Sequence, residues 1–580
     1  MQGDVSQRVH ELLLRATQQH RGGQLFEAAR LYRQVLDIDP RQADALHLLG
    51  VVSLQRGHHG QAIDLINRAI AINAGVPAFH NNLGNALRAR GQLALSADAF
   101  QRALSLNAQA PDTLYNLAVV LQQLGRHDEA SAAYENVLLA RPEHAAARSN
   151  LGNILYALGR YDDALGCFEA ALRSQPDFLP ALVNRGNVLS ALGRLDEAMH
   201  CYRGALTINP RDAPAHNNLG LALLAADRPD DAIAAYRNAL TVDPAYAEAH
   251  RNLGHALRER GRAAESAASY QQALSFDQND AEARLGLAMA SIPVFADTLA
   301  QSSAATGDFQ QALAALDAWE AEVPGRLGRA VGLTQPFYLA YRPADITSPL
   351  GGYGRLVCRA AAEGGKGAPG SGHSSATRTA RLRMVVVSGH VHGQHPVWEV
   401  LLRGMLEHLP REHLQIIVYH TGAQVDDETR WARLRVDHFV QGPKSTAAWV
   451  ERMQADRPDI VFYPEVGMDP VTGALAALRL APLQVASWGH PVTTGLPTVD
   501  LFVSGELLEP AQAAAHYVEQ LVRLPGTGVC TRPMAQTAQV WNASQGRSAA
   551  VQFALPSSAH QVRPGRRRTA YPDRPGGRPL

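Results

Sequence analysis

The chain has 580 residues, 46% of them hydrophobic, and its 54 Lys+Arg balance 54 Asp+Glu. That length supplies roughly two to four domains, and the zero net charge excludes a protein that holds nucleic acid or anionic membrane by bulk charge. Four scattered cysteines (Cys167, Cys201, Cys358, Cys530) lack metal-ligand or disulfide spacing, no apolar run approaches the roughly 18 residues of a membrane span, and the polar N-terminus lacks a signal peptide's apolar segment. These features predict a soluble cytoplasmic protein with no membrane partner.

The first elements in the chain are repeats. Gly50, Gly84, Ala118, Gly152, Gly186, Gly220 and Gly254 lie 34 residues apart. Ala28, Ala62, Ala130, Ala164, Ala198 and Ala232 keep the same period, with Ser96 and Ser266 in the gaps. Tyr32, Phe100, Tyr134, Phe168, Tyr202, Tyr236 and Tyr270 form an aromatic column, and Pro40, Pro142, Pro176, Pro210 and Pro244 a proline column. Small residues let two antiparallel helices approach, aromatic rings fill the space between pairs, and proline stops the second helix. Such a hairpin cannot bury its own apolar face, so the units stack into an α-solenoid with a concave surface. The pattern resembles the tetratricopeptide repeat, with about eight units over residues 9–280.

Asn82, Asn116, Asn150, Asn184, Asn218 and Asn252 stand two places before the small column in six consecutive units. An amide both donates and accepts, so this ladder can clamp the backbone of an extended polypeptide in the groove without reading its sequence. The alternative is that each Asn bonds the neighbouring repeat and holds the stack.

Further helices are expected around Ala281–Val294 and Phe309–Glu320, then an irregular stretch Gln335–Tyr341, making residues 281–360 a cap and connector. Residues 361–380 are rich in Gly, Ser and Ala and read as a linker. From 381 to 530 the period changes. Met384–Ser388, Leu414–Tyr419, His438–Val440, Ile460–Tyr463 and Leu483–Ser487 read as buried strands. They alternate with helices Val397–Leu409, Asp426–Leu434 and Ser445–Gln454, which predicts a parallel, doubly wound α/β sheet. Ligands of such sheets sit at the carboxyl ends of the strands.

Two clusters fall there. The first, Gly389-His390-Val391-His392-Gly393-Gln394-His395-Pro396, admits a metal site, a structural loop, or polar contacts to a substrate or sugar; no carboxylate stands beside its histidines in sequence. The second, Trp488-Gly489-His490-Pro491-Val492-Thr493-Thr494-Gly495, reads by itself as a tight polar turn.

Taken with the repeats, the His395-Pro396 loop, Arg479–Val485, Trp488–Gly495, Val499-Asp500, Glu509-Pro510 and Tyr517–Gly526 resemble the protein O-GlcNAc transferase and SPINDLY family. The resemblance implies a GT-B glycosyltransferase whose repeats grip an acceptor polypeptide through the Asn ladder. It implies transfer of a sugar from a nucleotide diphosphate to a Ser or Thr hydroxyl, without a cofactor or metal. It puts His395 at the acceptor and sugar site, accepting the hydroxyl proton or orienting its carrier. It also sets Gly489, His490, Pro491, Thr493, Thr494 and Gly495 beside the sugar.

In that family a second doubly wound lobe supplies most nucleotide contacts, including those that choose GlcNAc or fucose. Here residues 531–580 carry eight Arg, one acidic residue (Asp573) and no Lys, and are expected to be disordered. Val562–Arg568 can be encoded as GTT CGA CCC GGC CGA CGA CGC, which read one base later gives F-D-P-A-D-D-A, so residues after about Gln561 are expected to be out of frame. The chain is therefore expected to be inactive alone, with a nucleotide sugar as partner only where a second lobe is supplied. The alternative is a non-catalytic repeat scaffold that binds polypeptide and no nucleic acid.

Overall fold

The structure is a computed structural model that describes residues 2–527 except 295–297, 342–344, 365–380, 394, 443, 467 and 488–491. Most of the expected linker and all of the Arg-rich tail lie outside the described residues.

Eight antiparallel helix pairs run from Gln2 to Phe276, each second helix ending just before the column occupied by proline. Between the two helices of a pair the chain turns through a left-handed residue. It is glycine at 23, 57, 91, 125, 159, 193 and 261, and Asp227, with φ of 57°, in the seventh pair. At Gly159 the amide donates to the Tyr156 carbonyl and Arg160 to that of Leu155, which closes the first helix.

The aromatic column does more than separate pairs. In five pairs the ring lies over the glycine of its own pair: a Cβ on Gly186 would come within 2.6 Å of Tyr202 Cε1, and one on Gly84 within 2.6 Å of Phe100 Cε1. The two serines in the alanine column use their hydroxyls there, Ser96 and Ser266 donating to the Gly84 and Gly254 carbonyls at 2.7 Å. First helices of successive pairs contact one another along the solenoid, so they line its inner, concave side.

After a short helix Ala281–Ala290 come a long helix Leu299–Glu322, a 3-10 turn Phe337–Tyr341 and a helix Thr347–Glu363. The last was not apparent from the sequence, because it carries Gly351, Gly352 and Gly354, poor helix formers. Tertiary contact explains one of them: at Gly354 the helix meets the backbone of Gly495, with no room for a side chain on either glycine.

Seven parallel strands follow: β1 (Leu382–Ser388), β2 (Leu414–His420), β3 (His438–Gln441), β4 (Ile460–Tyr463), β5 (Leu483–Ser487), β6 (Leu501–Gly505) and β7 (Gln520–Leu524), in the order β3-β2-β1-β4-β5-β6-β7. The doubly wound sheet is as expected, and β6 and β7 extend it beyond the five expected strands. The order reverses between β1 and β4, paired from Met384↔Ile460 to Val386↔Phe462. Five of the last six residues of β1 and of β2 are fully buried, so these strands read as unbroken apolar runs. One hydrophobic core joins Leu285, Phe309, Trp319, Leu350 and Tyr353 to Val385, Tyr419, Trp449 and Tyr463. Among the described residues no helix is long and apolar enough to cross a membrane.

The Gly186 and Gly204 pair tests the ring-on-glycine packing. Gly186→Val is expected to overpack against Tyr202 and cost about 1–3 kcal/mol, seen as a lower melting temperature and faster amide exchange in helices Leu179–Ala191 and Leu195–Ile208. Gly204→Ala, where nothing lies within 4 Å of the new Cβ, should instead gain up to about 1 kcal/mol from helix propensity.

Candidate functional site

The carboxyl ends of β1, β2 and β4 carry the densest polar cluster of the sheet domain. After β1 the chain turns at Ser388-Gly389 and projects three histidines. The rings of His390 and His395 stack at 3.8 Å between centroids, 5° from parallel, and His392 meets them edge-on at 6.0 and 5.7 Å. His395 also begins the next helical turn: its carbonyl accepts from Trp398 and Glu399, and its Nδ1 accepts from the Val397 amide at 3.3 Å. With Nδ1 accepting, the proton of the neutral ring stands on Nε2, so His395 presents an N–H donor outward. That turn, Val397–Leu402, is a π-helix, a form common at functional sites.

Two acids complete the cluster. Asp469 caps the helix Pro470–Ala476, accepting from the Thr472 amide at 2.9 Å and from Thr421 Oγ1 at 2.9 Å. Glu465, just past β4, is fully buried. Its Oε1 accepts from Ser388 Oγ at 2.7 Å and the Gly389 amide at 3.1 Å, while Oε2 has no partner among the described residues. Burial pushes this carboxyl up to about 8, with the Asp469 charge adding to the effect. Burial first, and then His395, press His390 down to about 4; burial likewise lowers His395 and His420. The ring planes stack instead of converging their nitrogens, and among the described residues no group of His, Cys, Asp or Glu has the arrangement to hold a metal ion. No lysine or arginine pairs with any of these groups among the described residues.

The second expected cluster is used differently. Trp488, Gly489, His490 and Pro491 lie outside the described residues. Thr493 and Thr494, expected beside the sugar, bond the buried Glu519: Thr493 Oγ1 donates to Oε2 at 2.5 Å, and Thr494 donates to Oε1 through both Oγ1 and, at 2.8 Å, its amide. Gly495, with φ of 72°, presses on the Leu350 carbonyl of the connector helix. A buried carboxylate needs donors, and these hydroxyls supply them, so Thr493–Gly495 clamp β7 and the connector helix to the sheet. Among the described residues no hydrogen bond or ring contact joins them to His395.

The Asn ladder divides. Four amides donate to the preceding repeat: Asn82 to His47 Nε2 at 2.8 Å, Asn150 to Tyr115 Oη at 3.3 Å, Asn218 to Asn187 Oδ1 at 3.0 Å, and Asn252 to Asn217 Oδ1 at 2.9 Å. Asn116 and Asn184 make no side-chain hydrogen bond among the described residues and are half-buried. Both expected uses of the ladder therefore have candidates, on different residues. Glu465 and Asp469 were missed in the sequence; the one available signal was an acid directly after the buried run Ile460–Tyr463.

Known proteins resemble parts of this chain. The tetratricopeptide repeat family matches residues 115–177, 150–215, 183–236 and 217–284, and related repeat families match 84–125 and 21–85. A probable UDP-N-acetylglucosamine–peptide N-acetylglucosaminyltransferase SPINDLY from Eustoma exaltatum subsp. russellianum is 28% identical over 137 residues, 22% of this chain and 15% of that protein. The corresponding SEC protein of Arabidopsis thaliana is 31% identical over 150 residues, 25% of this chain and 15% of that one. The chain thus spans well under a quarter of these curated relatives. A mutant O-GlcNAc transferase of Thermobaculum terrenum aligns over 62% of this chain and 59% of its own, with 22% identity and a TM-score of 0.45.

The lowered histidines set an acid limit to stability. Their folded pKa values lie below the unfolded 6.5, so the unfolded chain binds more protons as pH falls; the stability present above 6.5 is lost as pH drops towards about 4. The melting temperature of the sheet domain should fall across that window, and His390→Asn should flatten the fall by removing one proton's worth of uptake. A variant with an unchanged pH profile in calorimetry contradicts the buried-neutral assignment.

Proposed function

We propose that this chain, a tetratricopeptide-repeat protein homologous over part of its length to SPINDLY and SEC proteins, holds an extended polypeptide in its solenoid and presents it at the carboxyl edge of the sheet for glycosylation. The supporting observation is the single core that runs from the helix after the last repeat through the connector helix into the sheet. A polypeptide lying along the first helices is then held at a constant distance from the histidine loop, the positioning that lowers a bimolecular barrier.

In this reading the acceptor hydroxyl attacks the anomeric carbon of a nucleotide-sugar, the bond to the diphosphate breaks, and the hydroxyl proton passes to the departing diphosphate or to solvent. His395 with Nδ1 engaged holds its N–H towards an oxygen, which suits orienting the acceptor or sugar more than taking a proton through Nε2. A leaving diphosphate calls for cationic side chains or helix N-termini. Among the described residues no lysine or arginine pairs with the cluster's acids. The same observation favours a second reading, in which the chain alone is a polypeptide-binding scaffold.

Two outcomes follow for the purified chain. It is expected to bind an unfolded polypeptide, and Asn116→Ala with Asn184→Ala should weaken that binding by about 1–3 kcal/mol, at about 0.5–1.5 per amide contact, without moving the melting temperature. Asn150→Ala, Asn218→Ala and Asn252→Ala should lower the melting temperature, because each removes a bond between repeats. Supplied with UDP- or GDP-sugars, the chain alone should transfer no detectable label to protein; turnover abolished by His395→Ala contradicts the scaffold reading.

A further inference from the structure

Glu465 occupies the place where the strand order reverses. Its carboxyl ties the end of β4 to the end of β1 across 77 residues of chain, in the crevice where doubly wound sheets bind ligands. Many such crevices receive phosphate on backbone amides and a helix N-terminus. Here the Gly389 amide, the donor nearest that role, is already spent on Glu465 Oε1. The Ser388 hydroxyl donates to the same oxygen and accepts from the His390 amide at 3.0 Å. Among the described residues, the buried polar atoms without a partner at these strand ends include Glu465 Oε2 and His390 Nε2.

We infer that Glu465 and His390, each with an unpartnered polar atom beside the Ser388-Gly389 turn, receive a carbohydrate hydroxyl, not a phosphate, which makes Glu465 a specificity-determining residue of the crevice. The choice of a carbohydrate rests on the glycosyltransferase reading. With Oε1 accepting two hydrogen bonds, the acid proton belongs on Oε2, where it is a donor. A neutral imidazole offers one donor and one acceptor nitrogen. A hydroxyl both gives and accepts, so it can satisfy either atom. A phosphate finds no lysine or arginine paired with these groups among the described residues, meets the Asp469 carboxylate, which packs against Gly389, and would sit beside an acid already reluctant to ionise. The remaining titratable groups of the cluster are His392, His395, His420 and Asp426, whose carboxylate accepts from the Gly393 amide at 2.7 Å; burial lowers His395 and His420, like His390.

The test uses the full chain, with N-acetylglucosamine and inorganic pyrophosphate as separate probes and the histidine ring resonances as readout. N-acetylglucosamine should shift the His390 signal and pyrophosphate should not. Glu465→Gln keeps both the acceptor and a donor and should hold the sugar affinity within about twofold, whereas Glu465→Leu should weaken it about tenfold, the worth of one buried hydrogen bond. In the native protein sugar binding should weaken as pH rises through about 8 and the donor is lost; in Glu465→Gln it should not. If Glu465→Leu fails to fold, this pH comparison decides. Pyrophosphate shifting His390, a silent sugar, a folded Glu465→Leu that binds like the native chain, or identical pH profiles would each overturn the inference. Polypeptide binding that still depends on Asn116 and Asn184 would leave the broader functional reading standing.

Discussion

Leu285 and Met289, in the helix that follows the last repeat, share buried surface with Trp319 and Leu327 of the cap, Leu350 and Tyr353 of the connector helix, and Val385 and Tyr463 of the sheet. Fully burying one such side chain is worth about 1.5–3 kcal/mol, and the set is continuous. A repeat array is otherwise a chain of nearest-neighbour contacts in which each unit responds only to the next. Joined to this core, its last units are fixed to the sheet. The connector helix is central to that joint: its glycines let the Thr493–Gly495 turn seat directly on its backbone, and Glu519 locks the turn from the other side through the two threonine hydroxyls.

The polar chemistry follows the same economy. Along the solenoid most ladder amides serve the stack, which leaves Asn116 and Asn184 with their hydrogen-bonding groups uncommitted. In the sheet domain the carboxyl edge gathers His390, His395 and Glu465 in uncharged forms, with Asp469 and Asp426 held as helix caps. An edge of this kind distinguishes neutral hydroxyl groups from anions by the absence of compensating charge, and specificity of that sort comes from what a site refuses as much as from what it accepts.

Features generated by local repetition were legible in the sequence. The 34-residue columns located every hairpin, and the β-branched runs at Met384–Ser388 and Ile460–Tyr463 located the central strands. Features that depend on contacts distant in sequence were not. The helix Thr347–Glu363 has weak local propensity and exists through its packing. β6 and β7 are short, and β7 is half-buried or exposed along its length, so neither carries a strong apolar signature. The use of Thr493 and Thr494 is decided by Glu519, some 25 residues later, and the role of Glu465 by a serine on another strand. The ladder shows the same limit within the repeats: one column of identical residues serves two purposes, because the partners at His47, Tyr115, Asn187 and Asn217 differ from unit to unit.

The central claim is that a polypeptide in the solenoid is delivered to the histidine loop of the sheet. A photo-crosslinking residue at Gly393, between His392 and His395, measures this directly when the chain is mixed with an unfolded polypeptide and irradiated. The account predicts cross-links to that polypeptide that disappear when Asn116 and Asn184 are both changed to alanine. Cross-links that persist undiminished in that variant, or none at all from a chain that binds the polypeptide tightly, would contradict it.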